Sequence, residues 1–393
     1  MKINEIGRSI GMLCLISSAF FSVSGCSDGT AATLPAAVEQ AQLQPGQLLT
    51  AEPATEYPAL NNANNFLITY VSTSWNGHNT VVSGQIAVPK TPPPAGGYPV
   101  MSFGYGVRGQ ADNCAPSNAL VGDRGNYDSF LNEWVKRGYA VLRTDYEALG
   151  TPGARSNGHG RSNANTIGDI VSAAHALSDK LSNDWVAVGH SQGGGAAVWT
   201  AGLKPVVGGK YTLKGAVAIS PTGPGIPLFM DDVVNGKPVS DGAQGFIPIV
   251  VLSAKVIDPT IDLSSLVTPQ MQPTFDAMRT LCTVPPIAGL QPGQYLKPGP
   301  SYDAVAKFAR AQDPSFLEIK VPLSIVQGLS DETTVTPEST RAMVKSLCSR
   351  SALINYKEYA GQTHRGVIPV AQEDILGFTA LALGGNAPRT PCT

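Results

Sequence analysis

The segment Trp185–Ala197, WVAVGHSQGGGAA, carries the pattern from which the rest of the chain is read. Trp185–Val188 is an apolar run suited to a short buried strand. Gly189-His190-Ser191-Gln192-Gly193 then fits G-x-S-x-G, and a stretch rich in alanine and glycine follows. The pentapeptide alone recurs by chance; a strand before it and a helix after it give it meaning. In that setting the serine occupies a sharp, strained turn. Its neighbours two positions away must lack bulk so that strand and helix can approach, and Gly189 and Gly193 meet that demand.

Outward from this turn, strand and helix patterns alternate. Strands are expected at Tyr98–Phe103, Tyr139–Thr144, Lys214–Ile219, Val321–Val326 and Leu353–Tyr359. Tyr127, Phe130, Leu131, Trp134 and Val135 recur at helical spacing, as do Ile167, Ile170, Val171, Ala174, Leu177 and Leu181. A further helix is expected over Glu338–Cys348. Phe66–Ser74 and Thr80–Val88 alternate in polarity around Asn76-Gly77, which predicts an antiparallel hairpin. Such alternation implies βαβ units and a mostly parallel sheet flanked by helices. Residues 222–318 break the rhythm with Pro-Gly clusters, an apolar run at Phe246–Leu252 and helix-like stretches near Gln272–Leu281 and Tyr302–Ala311. They read as a mainly helical cap inserted into a core of residues 61–221 and 319–393. The run Phe246–Leu252 suits an acyl-tunnel wall and a cap core equally.

A serine hydroxyl needs a base to take its proton. In chain order that base should follow the serine and an acid. Of the five histidines, only His364 lies after Ser191, in a loop just past the last expected strand. His78 and His159 read as loop residues, His175 as helical, and His190 as the variable position of the turn, pointing elsewhere. Asp331 follows the strand Val321–Val326 and is the expected acid, with Glu332 its nearest competitor and Asp303 and Asp313 more distant ones. Two backbone N–H groups should stabilise a developing oxyanion. One is expected from Gln192, and the other from Val107 or Arg108, between Gly106 and Gly109. The run Gly104–Gly109 also fits G-x-G-x-x-G, but no acidic residue in a second βα unit supports a dinucleotide. No cofactor is implied, and no Cys/His cluster suggests a metal.

Taken in order, these motifs resemble the α/β-hydrolase fold and, more closely, the secretory lipase family. The resemblance spans residues 60–393. It rests on Gly106–Gly109 followed by Ala111-Asp112-Asn113-Cys114-Ala115-Pro116-Ser117, on Asp145-Tyr146-Glu147-Ala148-Leu149-Gly150, on the serine turn, and on Asp331 and His364. Many bacterial members have His where Tyr105 stands here. The family acts on carboxylic esters, often acylglycerols, beneath a helical cap. The resemblance also implies disulfides Cys114–Cys282 and Cys348–Cys392, the first tying the oxyanion loop to the cap.

Composition sets the outer bounds. The chain has 393 residues, with 27 Lys and Arg against 29 Asp and Glu, so nothing in its charge favours nucleic acid. Charged residues are 14%, against about 25% in ordinary domains. Lys2 and Arg8 precede the 14 uncharged residues Ile10–Val23, fewer than the roughly 20 a spanning helix needs. Val23-Ser24-Gly25-Cys26 resembles a bacterial lipoprotein signal. Residues 1–25 would then be removed and Cys26 lipidated, giving an exported cell-envelope protein tethered to a membrane by its N-terminal lipid. Residues from Ser27 to about 60 read as a tether and an irregular arm. Cys114, Cys282, Cys348 and Cys392 remain after export, enough for two disulfides.

The expectation is therefore a serine esterase or lipase acting on a small-molecule or lipid ester. A peptidase or aryl-esterase could use the same residues. A non-catalytic, lipid-binding surface lipoprotein is the alternative from another class.

Overall fold

The computed structural model describes residues 43–388, except 57, 119–124, 283–289, 292 and 352. The expected export segment, Cys26 and Cys392 lie outside the described residues.

Ten strands form one sheet. Three of them, β1 (Leu48–Pro53), β2 (Ala63–Thr73) and β3 (Asn79–Pro89), pair antiparallel in sequence order. The expected hairpin is β2–β3, with Tyr70 opposite Val82 and Phe66 opposite Ile86. After β3 come β5 (Ala140–Thr144), β4 (Tyr98–Gly104), β6 (Leu181–His190), β8 (Tyr211–Ile219), β9 (Leu323–Gly328) and β10 (Ile354–Tyr359). β3 meets β5 antiparallel, and every later pair on this path is parallel. The two-residue β7 (Val206–Val207) pairs with β8 off the path. The connection leaving β4 runs to β5 on one side and the connection leaving its other neighbour β6 runs to β8 on the other, so the two diverge. The crevice beyond the carboxyl ends of strands at such a point is where open α/β sheets bind ligands.

Two readings of the sequence need correction. The N-terminal arm is not irregular throughout, because Leu48–Pro53 is an edge strand. Five of its six residues are exposed, so it carries no apolar alternation, and main-chain pairing to β2 holds it. Leu181 does not end a helix. The helix Gly160–Leu177 stops before Ser178, whose backbone is extended, and Leu181 opens β6. The first half of β6 contains Ser182, Asn183 and Asp184, which hid it from an apolar search.

The main core gathers on both faces of the sheet. The helix Gly125–Lys136 buries Tyr127, Phe130, Leu131, Trp134 and Val135 as its spacing predicts. A separate apolar cluster, including Phe229, Met230, Val251, Phe275 and Val305, lies among the helices between β8 and β9, the segment in which the cap is expected. Helices Gly225–Val234, Ile247–Ile257 and Pro300–Ala311 build it. Cys114 and Cys282 are joined with their sulfurs 2.08 Å apart. This bond links the segment after β4 to the cap. A Cβ on nearby Gly109 would lie 1.9 Å from the Leu281 carbonyl oxygen, so the two chains touch there through backbone. Cys348 is also disulfide-bonded, while its expected partner Cys392 lies outside the described residues. Among the described residues no helix is long and apolar enough to cross a membrane.

Candidate active site

Ser191 joins β6 to the helix Gln192–Leu203 with φ 59° and ψ −116°. A positive φ is rare for a residue with a side chain and costs on the order of 1–3 kcal/mol. The surrounding main chain holds it. Ser191 N–H donates to the Ile219 carbonyl of β8 at 2.9 Å, and its own carbonyl accepts from Gly195 and Thr222 N–H at 3.0 Å each. The flanking glycines are steric necessities. A Cβ on Gly189 would lie 2.0 Å from the Gly193 carbonyl oxygen, and one on Gly193 would lie 1.9 Å from that of Gly104. The turn and the end of β4 are thus in backbone contact.

Asp331 and His364 sit on the loops after β9 and β10. These loops are zipped together by Leu329 N–H to the Tyr359 carbonyl at 3.0 Å and Ser330 N–H to that of Gln362 at 2.8 Å. His364 Nδ1 lies 2.6 Å from Asp331 Oδ2. Thr333 donates to Asp331 Oδ1 from its N–H at 3.1 Å and from its hydroxyl at 2.7 Å. Gln327 Nε2 donates to Oδ2 at 3.2 Å. Burial works to raise the carboxyl pKa, but the bonds from His364 and Thr333 outweigh it and leave Asp331 below its ordinary value. The competitors are elsewhere: Glu332 is exposed, Asp303 lies in the first turn of a cap helix, and Asp313 caps the turn at Ser315.

The loop after β4 runs against the serine. A Cβ on Gly106 would lie 3.4 Å from Ser191 Cβ. Val107, Ser191 and Gln192 line one cavity whose far wall is apolar cap, with Ile226, Phe246, Ile249, Val250 and Phe308. The run 246–252 faces two ways. Phe246, Ile249 and Val250 face this cavity, while Ile247 and Val251 are buried in the cap cluster. The Arg108 side chain turns away from the cavity, its guanidinium 5.5 Å from the Tyr105 ring centre and 5.7 Å from that of Tyr127. Tyr105 packs edge-on to Phe103 and Tyr127. Its carbonyl accepts from Tyr146 Oη at 2.7 Å.

Some side chains at this cavity carry more than the sequence reading gave them. The side-chain amides of Asn157 and Gln192 line the cavity, buried and without a hydrogen-bond partner. Asn157 has no local signature. Gln327, which steadies Asp331, could have been suspected as a polar residue within a buried strand. His190 does not point elsewhere as expected, since its ring lies 4.6 Å from that of His364, centre to centre. His159 caps the helix Gly160–Leu177, and His175 stacks on Tyr211. Among the described residues no group of three or more His, Cys, Asp or Glu is placed to hold a metal ion.

No protein-family model matches the chain, and no curated protein matches it. Solved structures do. Candida antarctica lipase A in its closed state aligns with a TM-score of 0.69 at 19% identity, over 89% of this chain and 85% of that one. The ligand-bound rice cell wall degrading esterase LipA from Xanthomonas oryzae aligns with a TM-score of 0.68 at 16% identity, over 87% of this chain and all of that one. The fold is that of an α/β-hydrolase. Ser191 stands at the turn after β6, and Asp331 and His364 stand in that chain order on the loops after β9 and β10.

Proposed function

We propose that this α/β-hydrolase is a carboxylic ester hydrolase in which Ser191 is the nucleophile, His364 the base and Asp331 the acid. The observation that carries the reading is the 2.6 Å contact between Asp331 Oδ2 and His364 Nδ1, together with a serine held at positive φ at the end of β6. With Nδ1–H committed to Asp331, the other ring nitrogen is the free base. His364 Nε2 takes the Ser191 hydroxyl proton as Oγ attacks the ester carbonyl. The tetrahedral oxyanion is met by the backbone N–H of Gln192 and that of Val107 or Arg108. His364 then passes the proton to the leaving alkoxide. Water, deprotonated by the same nitrogen, releases the acid from the acyl-enzyme. Asp331 keeps the imidazole in the required tautomer and stabilises its charged form.

The cavity supports an ester whose acyl part rests on the cap wall of Phe246, Ile249 and Val250, with Asn157 available to a polar atom of the substrate. The solved lipase and esterase of the same fold support the same class of reaction. The N-terminal segment supports export, with tethering through Cys26. Ser191→Ala should leave the fold intact and lower kcat on short acyl esters by about 10⁴-fold or more. A fluorophosphonate probe should label the native protein at Ser191 and not the variant. Ester turnover that survives in folded Ser191→Ala would overturn the assignment. Turnover of peptides but not esters would move the protein to the peptidases.

A further inference from the structure

The variable position of the serine turn holds a histidine that the proposed chemistry does not use. His190 is 1% exposed, and both its ring nitrogens are engaged. Nε2 lies 2.9 Å from the main-chain carbonyl oxygen of His364. Nδ1 lies 2.5 Å from the hydroxyl of Tyr127, which is itself 2% exposed. The Tyr127 oxygen in turn accepts from the N–H of Gly106 at 3.3 Å. A carbonyl only accepts, so Nε2 must carry a proton. A neutral imidazole then offers a lone pair at Nδ1, and the Tyr127 hydroxyl donates to it. The direction of each bond is thereby set: Gly106 N–H to Tyr127 oxygen, Tyr127 O–H to His190 Nδ1, His190 Nε2–H to the His364 carbonyl.

The protonation states agree with that assignment. Burial, reinforced by the nearby His364, holds His190 down to about 3, so it stays neutral. Burial also pushes Tyr127 up to about 12, so it keeps its proton.

We propose that His190 and Tyr127 are positioning residues that lock the oxyanion loop and the base loop to each other across the serine turn. Gly106 immediately precedes Val107, a proposed oxyanion donor, and His364 is the proposed base. Asp331 fixes the His364 ring at Nδ1, and His190 fixes its backbone and lies against its face. The two loops come from opposite ends of the sequence, and this chain is a physical link between them. A misplacement of about 1 Å in such a constellation can cost around 10²-fold in rate.

This inference rests on the ester-hydrolase reading, and the test separates the two. His190→Leu, His190→Gln, Tyr127→Phe and the double variant Tyr127→Phe/His190→Leu are assayed on a short acyl ester and by the rate of fluorophosphonate labelling. Melting temperature is followed in parallel. His190→Leu should lower kcat and labelling rate by about 10²-fold with KM within about threefold. His190→Gln keeps a donor where Nε2 stands and should recover to within about tenfold of the native rate. Tyr127→Phe should cost about fivefold, and the double variant should be no slower than His190→Leu alone, because the two residues act as one unit. A native protein that does not label at Ser191 overturns the hydrolase reading. A native protein that labels, with His190→Leu or Tyr127→Phe at the native rate, overturns the positioning role alone. A folded His190→Gln as slow as His190→Leu also overturns it. If His190→Leu does not fold, the two near-isosteric variants decide the question.

Discussion

The turn that presents Ser191 and the loops that present Asp331 and His364 reach their geometry by different means. Around Ser191 the work is done by backbone. Main-chain bonds reach it from β8 and from the helix that follows, and Gly189, Gly193 and Gly104 let three chain segments touch. Around His364 the work is done largely by side chains. Thr333 and Gln327 hold the Asp331 carboxylate, and His190, itself bonded to Tyr127, meets the His364 carbonyl. A backbone site tolerates almost no added atom, whereas a side-chain site loses one bond at a time. The two halves should therefore fail differently.

The largest effect is expected at Gly193→Ala. Its Cβ would lie 1.9 Å from the Gly104 carbonyl oxygen, and relief requires β4 and the helix to separate. Activity should fall below detection, with a loss of stability of about 3 kcal/mol or more. Gly377→Ala is the control. It sits in a helix with no atom within 4 Å of the added Cβ, and should hold or raise the melting temperature through helix propensity. A Gly193→Ala protein retaining a third of native kcat/KM would contradict the steric account. Asp331→Asn tests the other half. It should fold normally and lose about 10³–10⁴-fold in kcat, because an amide facing Nδ1 favours the wrong tautomer. A loss under tenfold would show that Thr333, Gln327 and His190 orient the ring without the charge.

This division also explains what was legible beforehand. The serine turn is local, so strand, glycines and helix lie within 13 consecutive residues, 185–197. His364 followed from chain order, since no other histidine comes after Ser191, and Asp331 from its place after a strand. The hairpin and the parallel alternation were visible because each leaves a period in polarity. Leu48–Pro53 was not, because an exposed edge strand needs only main-chain pairing. Tyr127 looked like one more apolar position on a helix face, and only its contact with His190, 63 positions on, gives it another task. The neighbourhood of His190 is hidden in the same way, since pentapeptide geometry says where the serine goes and nothing about what meets the residue before it. Asn157 became visible only when the cap and the loop after β5 closed on one cavity.

The last effect sharpens the comparison through pH. His190 is held neutral down to about 3, whereas an unfolded histidine binds a proton near 6.5. Its folded value is lowered, so the stability it contributes is present above about 6.5 and is lost as pH falls toward its folded value. Each such proton steepens the loss by about 1.4 kcal/mol per pH unit within that window. His159, lowered to about 4 by burial, adds a second proton over much of the same range. Asp331 is also lowered, but as a carboxylate. Its contribution is intact above about 4 and fades only below. His190→Gln should therefore flatten the stability curve between about pH 6 and 4, leaving the slope of His159 and of His175, which burial also lowers, and should not change the fall below about pH 4 that belongs to Asp331. Denaturant midpoints measured across pH 3.5 to 8 read both limbs. Parallel curves for the native protein and His190→Gln would mean that His190 takes up its proton without unfolding, and that its buried bonds to Tyr127 and His364 can be remade around a charged ring.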